Sequence, residues 1–132
     1  MNIDDLFADD VKKKTEGANV SIPGIPGGFL VLKSFNAAVF NEALKRKAES
    51  FEDRENPTDK ESRLAVCQIY VEEFISGWGG IKEEGKELED TQAERLRVFC
   101  DPKYERLIDF AIAEMSNIEN YRYREKEKAK KP

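Results

Sequence analysis

Four stretches of the chain carry apolar residues at helical spacing, and one short stretch alternates them. In residues 36–51, Ala37, Phe40, Ala43, Leu44, Ala48 and Phe51 recur at i, i+3 and i+4, with Lys45, Arg46, Lys47 and Glu49 on the other face. That pattern predicts an amphipathic helix with Asn36 as its N-cap. In the second stretch, Thr58 and Glu61 form a capping-box pair behind Pro57, and Leu64, Ala65, Cys67, Ile69, Val71, Phe74, Ile75 and Trp78 follow. The run from Gly77 to Gly80 should stop this helix, because glycine loses the most backbone freedom on ordering. A polar loop over 82–90 comes next, with Gly85 as its turn residue. Thr91 and Glu94 then repeat the capping pattern for a short helix carrying Ala93, Leu96, Val98 and Phe99. Asp101 and Pro102 supply the N-cap and first position of a last helix, striped by Tyr104, Leu107, Ile108, Ala111, Ile112, Met115 and Ile118.

Residues 17–35, GANVSIPGIPGGFLVLKSF, follow another rule. Val20 and Ile22 flank Ser21, Pro23-Gly24 and Pro26-Gly27-Gly28 are turn signals, and Phe29 to Leu32 form a short apolar run. This predicts a β-hairpin at roughly 18–22 and 28–33, its first strand an edge because of the prolines. Two strands alone are not stable in water, so the hairpin should lie against the helices. Residues 1–16 are dense in charge, with Leu6 and Phe7 as a large apolar pair, and are expected to be a flexible segment or one that orders on a partner. Residues 122–132 extend the last helix as a fraying, charged tail. The predicted fold is therefore mainly α with a small N-terminal β-hairpin, about four helices in a compact single domain over 17–121.

Composition narrows the function classes. At 132 residues the chain is the size of one domain. It has no histidine, which excludes a histidine-based triad, a histidine–zinc site and imidazole acid/base chemistry. Cys67 and Cys100 have 32 residues between them, far from a C-x-x-C pair, so neither zinc nor a redox dithiol is expected. Cys67 is then a small core residue and Cys100 a helix-junction residue. The opening residues lack the apolar core of a signal peptide, and no apolar run is long enough to span a membrane. An intracellular protein is expected.

Candidate chemistry adds little. Asp4, Asp5, Asp9, Asp10, Glu83, Glu84, Glu87, Glu89 and Asp90 lie in charge runs of the kind that face solvent, not in contrasting environments that would separate an acid from a base. The 82–90 loop lacks the EF-hand ligand pattern, and IPGIPGGF lacks both glycine-rich phosphate motifs. No catalytic residue, metal or cofactor is predicted. Trp78 either closes the core over a helix end or stands exposed as an anchor for a partner. Residues 122–131 hold six bases and two acids, a net +4, which leaves −9 on residues 1–121 out of a total of −5. A basic tail can attract nucleic acid, but this one is interleaved with Glu125 and Glu127 and joined to an acidic body.

One stretch is more specific than its parts. From Phe74 to Tyr121, an apolar helix ends in I-x-G-W-x-G-I, a loop with one glycine follows, then a threonine-capped short helix and an Asp-Pro boundary before the final helix. This resembles the tail assembly chaperones of long-tailed bacteriophages with flexible tails, and the hairpin with its glycine-rich turn is similar too. The resemblance covers most of residues 17–121. Trp78, Gly80 and Ile81, with Thr91 as the cap, are the family-like positions, all structural.

The resemblance implies a non-enzymatic helper that binds the tape measure protein, keeps it soluble, helps recruit tail tube subunits and self-associates. It implies work in the cytoplasm of an infected bacterium and absence from the mature virion. Many such proteins also exist in a longer form made by ribosomal frameshifting. Here the lysine-rich end, Lys128, Lys130 and Lys131, would be encoded by adenine-rich codons. For partner binding the candidates are Phe99 and Tyr121, on a flank of the last stripe, with Arg122 and Arg124 in the tail. The rival expectation is a small helical adaptor or regulator that binds nucleic acid through that tail.

Overall fold

The computed structural model describes residues 3–49 and 58–122. Its elements in chain order are α1 (Ile3–Glu16), β1 (Ala18–Ser21), β2 (Phe29–Leu32), α2 (Ala37–Glu49), α3 (Asp59–Phe74), β3 (Ile75–Gly79), β4 (Lys82–Glu83), β5 (Lys86–Glu87), α4 (Gln92–Phe99) and α5 (Glu105–Met115). Two 3-10 turns, Pro102–Tyr104 and Ile118–Tyr121, flank α5. The fold is mainly helical with a small antiparallel sheet, but the described residues hold five α-helices where the sequence predicts about four.

The additional helix is α1, in the segment expected to be flexible. Four of its five acids precede Val11, and Lys13 and Lys14 occupy its last turn beside Glu16, an order that on balance complements the helix dipole. Its end is fastened to the sheet. Gly17 N donates to Lys13 O (3.0 Å), Ser34 N to Lys14 O (3.1 Å) and Ser76 Oγ to Glu16 O (3.3 Å). Gly17 has φ +114°, and a Cβ there would sit 2.7 Å from Val31 Cγ1, so glycine allows this close passage.

The hairpin forms close to its predicted limits, with Ala18 opposite Leu32 and Ser21 opposite Phe29. It is not a lone pair of strands. β3 adds to the other side of β2, antiparallel, pairing Leu30 with Trp78 and Phe29 with Gly79. The second helix, expected to run through Ile75 and Trp78, therefore ends at Phe74 and passes directly into a strand. Ile75 is extended (φ −104°, ψ 98°), and Lys33 N donates to Phe74 O at 2.8 Å. A free row of β2 hydrogen-bonding groups is thereby satisfied, which outweighs the helical spacing of the side chains. The polar loop also contains a short ladder, Lys82 opposite Glu87 and Glu83 opposite Lys86, with Gly85 at φ +81° in its turn.

Three helix starts follow the predicted caps. Asn36 Oδ1 accepts from Ala38 N (3.0 Å) and Val39 N (3.2 Å). Thr58 and Glu61 make the reciprocal box. Thr91 Oγ1 accepts from Glu94 N at 3.2 Å, while the Glu94 carboxylate turns to Arg97, so this cap is one-sided. Asp101 accepts from Lys103 N at 3.0 Å, but it and Pro102 open a 3-10 turn and not the predicted last helix, which starts at Glu105 behind Tyr104, an N-cap without a side-chain cap bond. α5 stops at Met115 because Asn120 Nδ2 donates to Glu114 O at 2.8 Å, taking up an end carbonyl. Ile118, predicted to continue the stripe, is instead 55% exposed. Phe51, Pro57 and the tail beyond Arg122 lie outside the described residues.

The core joins both sets of elements. Leu30 and Leu32 of β2 are buried with Ile69, Val71 and Phe74 of α3, Phe99 of α4, and Ala111 and Met115 of α5. Each fully buried side chain of this size contributes about 1.5–3 kcal/mol. Phe35, Phe40, Tyr70 and Phe74 close one end as an aromatic cluster, with Phe40 and Tyr70 centroids 5.2 Å apart and Phe35 and Phe74 5.3 Å apart.

Candidate functional site

A groove of about 610 Å³ opens between the β1–β2 turn, the β4–β5 hairpin and the start of α5. Ile22 and Ile25 form one wall, Ile81 and Leu88 another, and Leu107 and Phe110 a third, with Val98 also among the lining residues. Lys82, Lys103 and Arg106 stand around it with Glu83 and Glu105. An apolar trough with a mixed, slightly basic rim suits an amphipathic helix or an extended apolar peptide, and offers no convergent acid and base.

The rim is organised around Glu83. Tyr104 Oη donates to Glu83 Oε2 at 2.5 Å, and Arg97 Nη2 donates to Glu83 Oε1 at 2.9 Å. Arg97 also pairs with Glu94. The Tyr104 hydroxyl, and then the Arg97 guanidinium, hold the Glu83 carboxyl below the usual carboxylate range. The same hydrogen bond raises the Tyr104 phenol. This network ties β4 to α4 and to the turn before α5, and so fixes the separation of two groove walls.

A second apolar surface lies on α1. Ile3, Phe7 and Val11, at i, i+4 and i+8, are 71%, 49% and 58% exposed. They form a stripe along one side of a helix whose C-terminal end alone carries the sheet-anchoring hydrogen bonds described above.

The residues singled out in the sequence divide sharply. Phe99 and Tyr121, expected at a docking flank, are each only 1% exposed and belong to the core. The last helix presents Leu107 and Phe110, not that flank, to the groove. Arg122 is exposed and pairs with Glu119 at 3.3 Å, and Arg124 lies outside the described residues. Trp78 is buried rather than standing as an exposed anchor. Its Nε1 donates to Glu89 O at 2.9 Å, its ring lies 5.6 Å from that of Phe99, and its backbone N donates to Asp90 Oδ1 at 3.3 Å. Gly80 has φ +66° and backs onto Gly27. Ile81 is buried beside the groove, and Thr91 caps α4.

Sequence spacing missed the cysteine pair. Cys67 on α3 and Cys100 at the end of α4 place their sulfurs 3.1 Å apart, both as free thiols and both half-buried. A dithiol is thus assembled where none is predicted. The only signal available was that both residues lie on inward faces of helices consecutive in the chain.

Among the described residues no helix is long and apolar enough to cross a membrane. Comparison of the chain with family models, curated proteins and solved structures gives no match.

Proposed function

We propose that the chain is a non-enzymatic tail assembly chaperone of a long-tailed bacteriophage. It binds the tape measure protein, keeps that long helical client soluble, and helps gather tail tube subunits around it. The work takes place in the cytoplasm of the infected host, copies of the chain associate with one another along the client, and the protein is left behind when the virion is complete.

The observation that carries this reading is the pairing of an apolar groove with a separate exposed apolar helix face on one small, highly charged domain. A tape measure protein exposes apolar helical rows until the tube covers them. The groove walled by Ile25, Leu107 and Phe110 accepts such a row, and Ile3, Phe7 and Val11 offer a second, weaker contact. Many weak contacts along one client add by effective concentration. The sequence from Phe74 to Tyr121, which resembles that family, is what suggests the tape measure protein as the client.

Co-expression with the phage's tape measure protein tests the proposal. The client is expected to move from the insoluble to the soluble fraction, and Ile25→Glu with Phe7→Glu should return it. DNA binding that weakens with salt and disappears on deleting residues 122–132 would favour the nucleic-acid regulator instead. The frameshifted longer form requires a slippery heptamer and an overlapping frame near codons 126–132, and their absence would remove it.

A further inference from the structure

Neither cysteine lines the groove. Two hydrogen bonds hold the sulfurs in place. Cys67 Sγ donates to the Phe99 carbonyl at 3.3 Å, and Cys100 Sγ donates to Cys67 Sγ at 3.1 Å. The two sulfurs need to approach by only about 1 Å to reach bonding distance. Neither is sealed in. Both are half-buried, and Cys67 lines an open depression of about 340 Å³ together with Arg63, Ile108 and Ile112.

We propose that Cys67 and Cys100 form a thiol–disulfide exchange site that takes a small-molecule disulfide of the glutathione class. The sulfurs supply two electrons and two protons. One thiolate attacks a sulfur of the oxidised glutathione, forming a mixed disulfide and releasing one glutathione thiolate. The other cysteine then attacks the protein sulfur of that mixed disulfide, releases the second glutathione, and leaves a Cys67–Cys100 bond. Both glutathiones leave as thiols carrying the cysteines' protons, so atoms and electrons balance.

The electrostatics give the order. Cys100 ionises more readily than an ordinary thiol, chiefly because Cys67 can turn its hydrogen bond to the Cys100 thiolate; burial and the nearby Glu72 oppose this, and Lys47 assists. Cys67 is correspondingly raised by that hydrogen bond and by burial. Cys100 is therefore the attacking sulfur and Cys67 the resolving one. Closure ties the middle of α3 to the C-cap of α4, one residue before the Asp101-Pro102 step that carries the chain to the groove.

The experiment uses the full chain alone, so its outcome is independent of any client. The protein is equilibrated in glutathione buffers from reducing to oxidising, then alkylated, weighed and peptide-mapped. Oxidising ratios are expected to remove two hydrogens, join Cys67 to Cys100 within one chain, and raise the unfolding midpoint by roughly 10 °C. Excess reduced glutathione should reverse all three changes. Cys67→Ser should instead retain one glutathione on Cys100. Two alkylatable thiols in the most oxidising buffer, a glutathione adduct that persists on the unsubstituted chain, or cross-linked dimers would each overturn the proposal. The map of the unsubstituted chain decides even where the variant fails to fold.

Discussion

Tyr121 donates its hydroxyl to the backbone carbonyl of Leu32 at 3.1 Å, joining the last 3-10 turn to the central strand of the sheet across 89 residues of sequence. Both residues are buried, and the turn that carries Tyr121 lies against α1, β1 and α5. Tyr121→Phe keeps the ring and removes the hydroxyl, leaving a buried carbonyl short of a partner. It should cost about 1–2 kcal/mol. Tyr121→Ala also opens a cavity and should cost about 3–5 kcal/mol. Denaturant unfolding of the two variants checks this order. Equal losses would mean that the hydrogen bond contributes nothing.

Gly80 tests the junction between the sheet and the groove. Its φ is +66°, and a Cβ would lie 2.2 Å from Gly27 O, a backbone atom that cannot swing away. Gly80→Ala should therefore combine left-handed strain with a forced separation of two loops, at more than about 2 kcal/mol. Gly85 has φ +81° with nothing within 4 Å of a Cβ, so Gly85→Ala should carry the strain alone, at about 1 kcal/mol. Thermal unfolding of both variants separates crowding from conformation.

The sequence and the structure part at particular residues for physical reasons. The hairpin was legible because Val20 and Ile22 alternate with Ser21 between two sets of turn signals. Three helix starts were legible because Asn36, Thr58 and Thr91 act through bonds only a few residues long, whereas Asp101 caps a 3-10 turn ahead of the last helix. β3 was not. Phe74, Ile75 and Trp78 satisfy helical spacing as well as a strand's burial, and the deciding partner, β2, lies more than 40 residues earlier. α1 was hidden because its apolar stripe is thin among aspartates and lysines, and Ile3, Phe7 and Val11 stay exposed. Phe99 and Tyr121 were misplaced because a stripe shows which residues want burial but not which neighbour covers them. Cys67 and Cys100 meet through the packing of α3 on α4, which spacing along the chain does not encode.

The Glu83–Tyr104 contact predicts a local pH response. The Glu83 carboxyl titrates below its unfolded value, so the stabilisation it supplies is complete above the ordinary glutamate value of about 4.3 and is lost as pH falls through the lower folded value. Tyr104 titrates above its unfolded value, so its contribution is complete below about pH 10 and is lost as pH rises through the higher folded value. Ring-proton NMR of Tyr104 should show an acid transition below the ordinary glutamate range and a late alkaline one. Glu83→Gln should abolish the first and move the second toward the ordinary phenol value. Unchanged transitions would contradict the contact.

Binding of the purified chain to purified tape measure protein tests the central claim most directly. The unsubstituted chain is expected to bind. Phe7→Glu with Val11→Glu, at exposed positions that leave the fold intact by circular dichroism, should weaken binding at least tenfold or so, and adding Ile25→Glu in the groove should abolish it. No binding by the unsubstituted chain, or equal binding by all three folded proteins, would contradict the account.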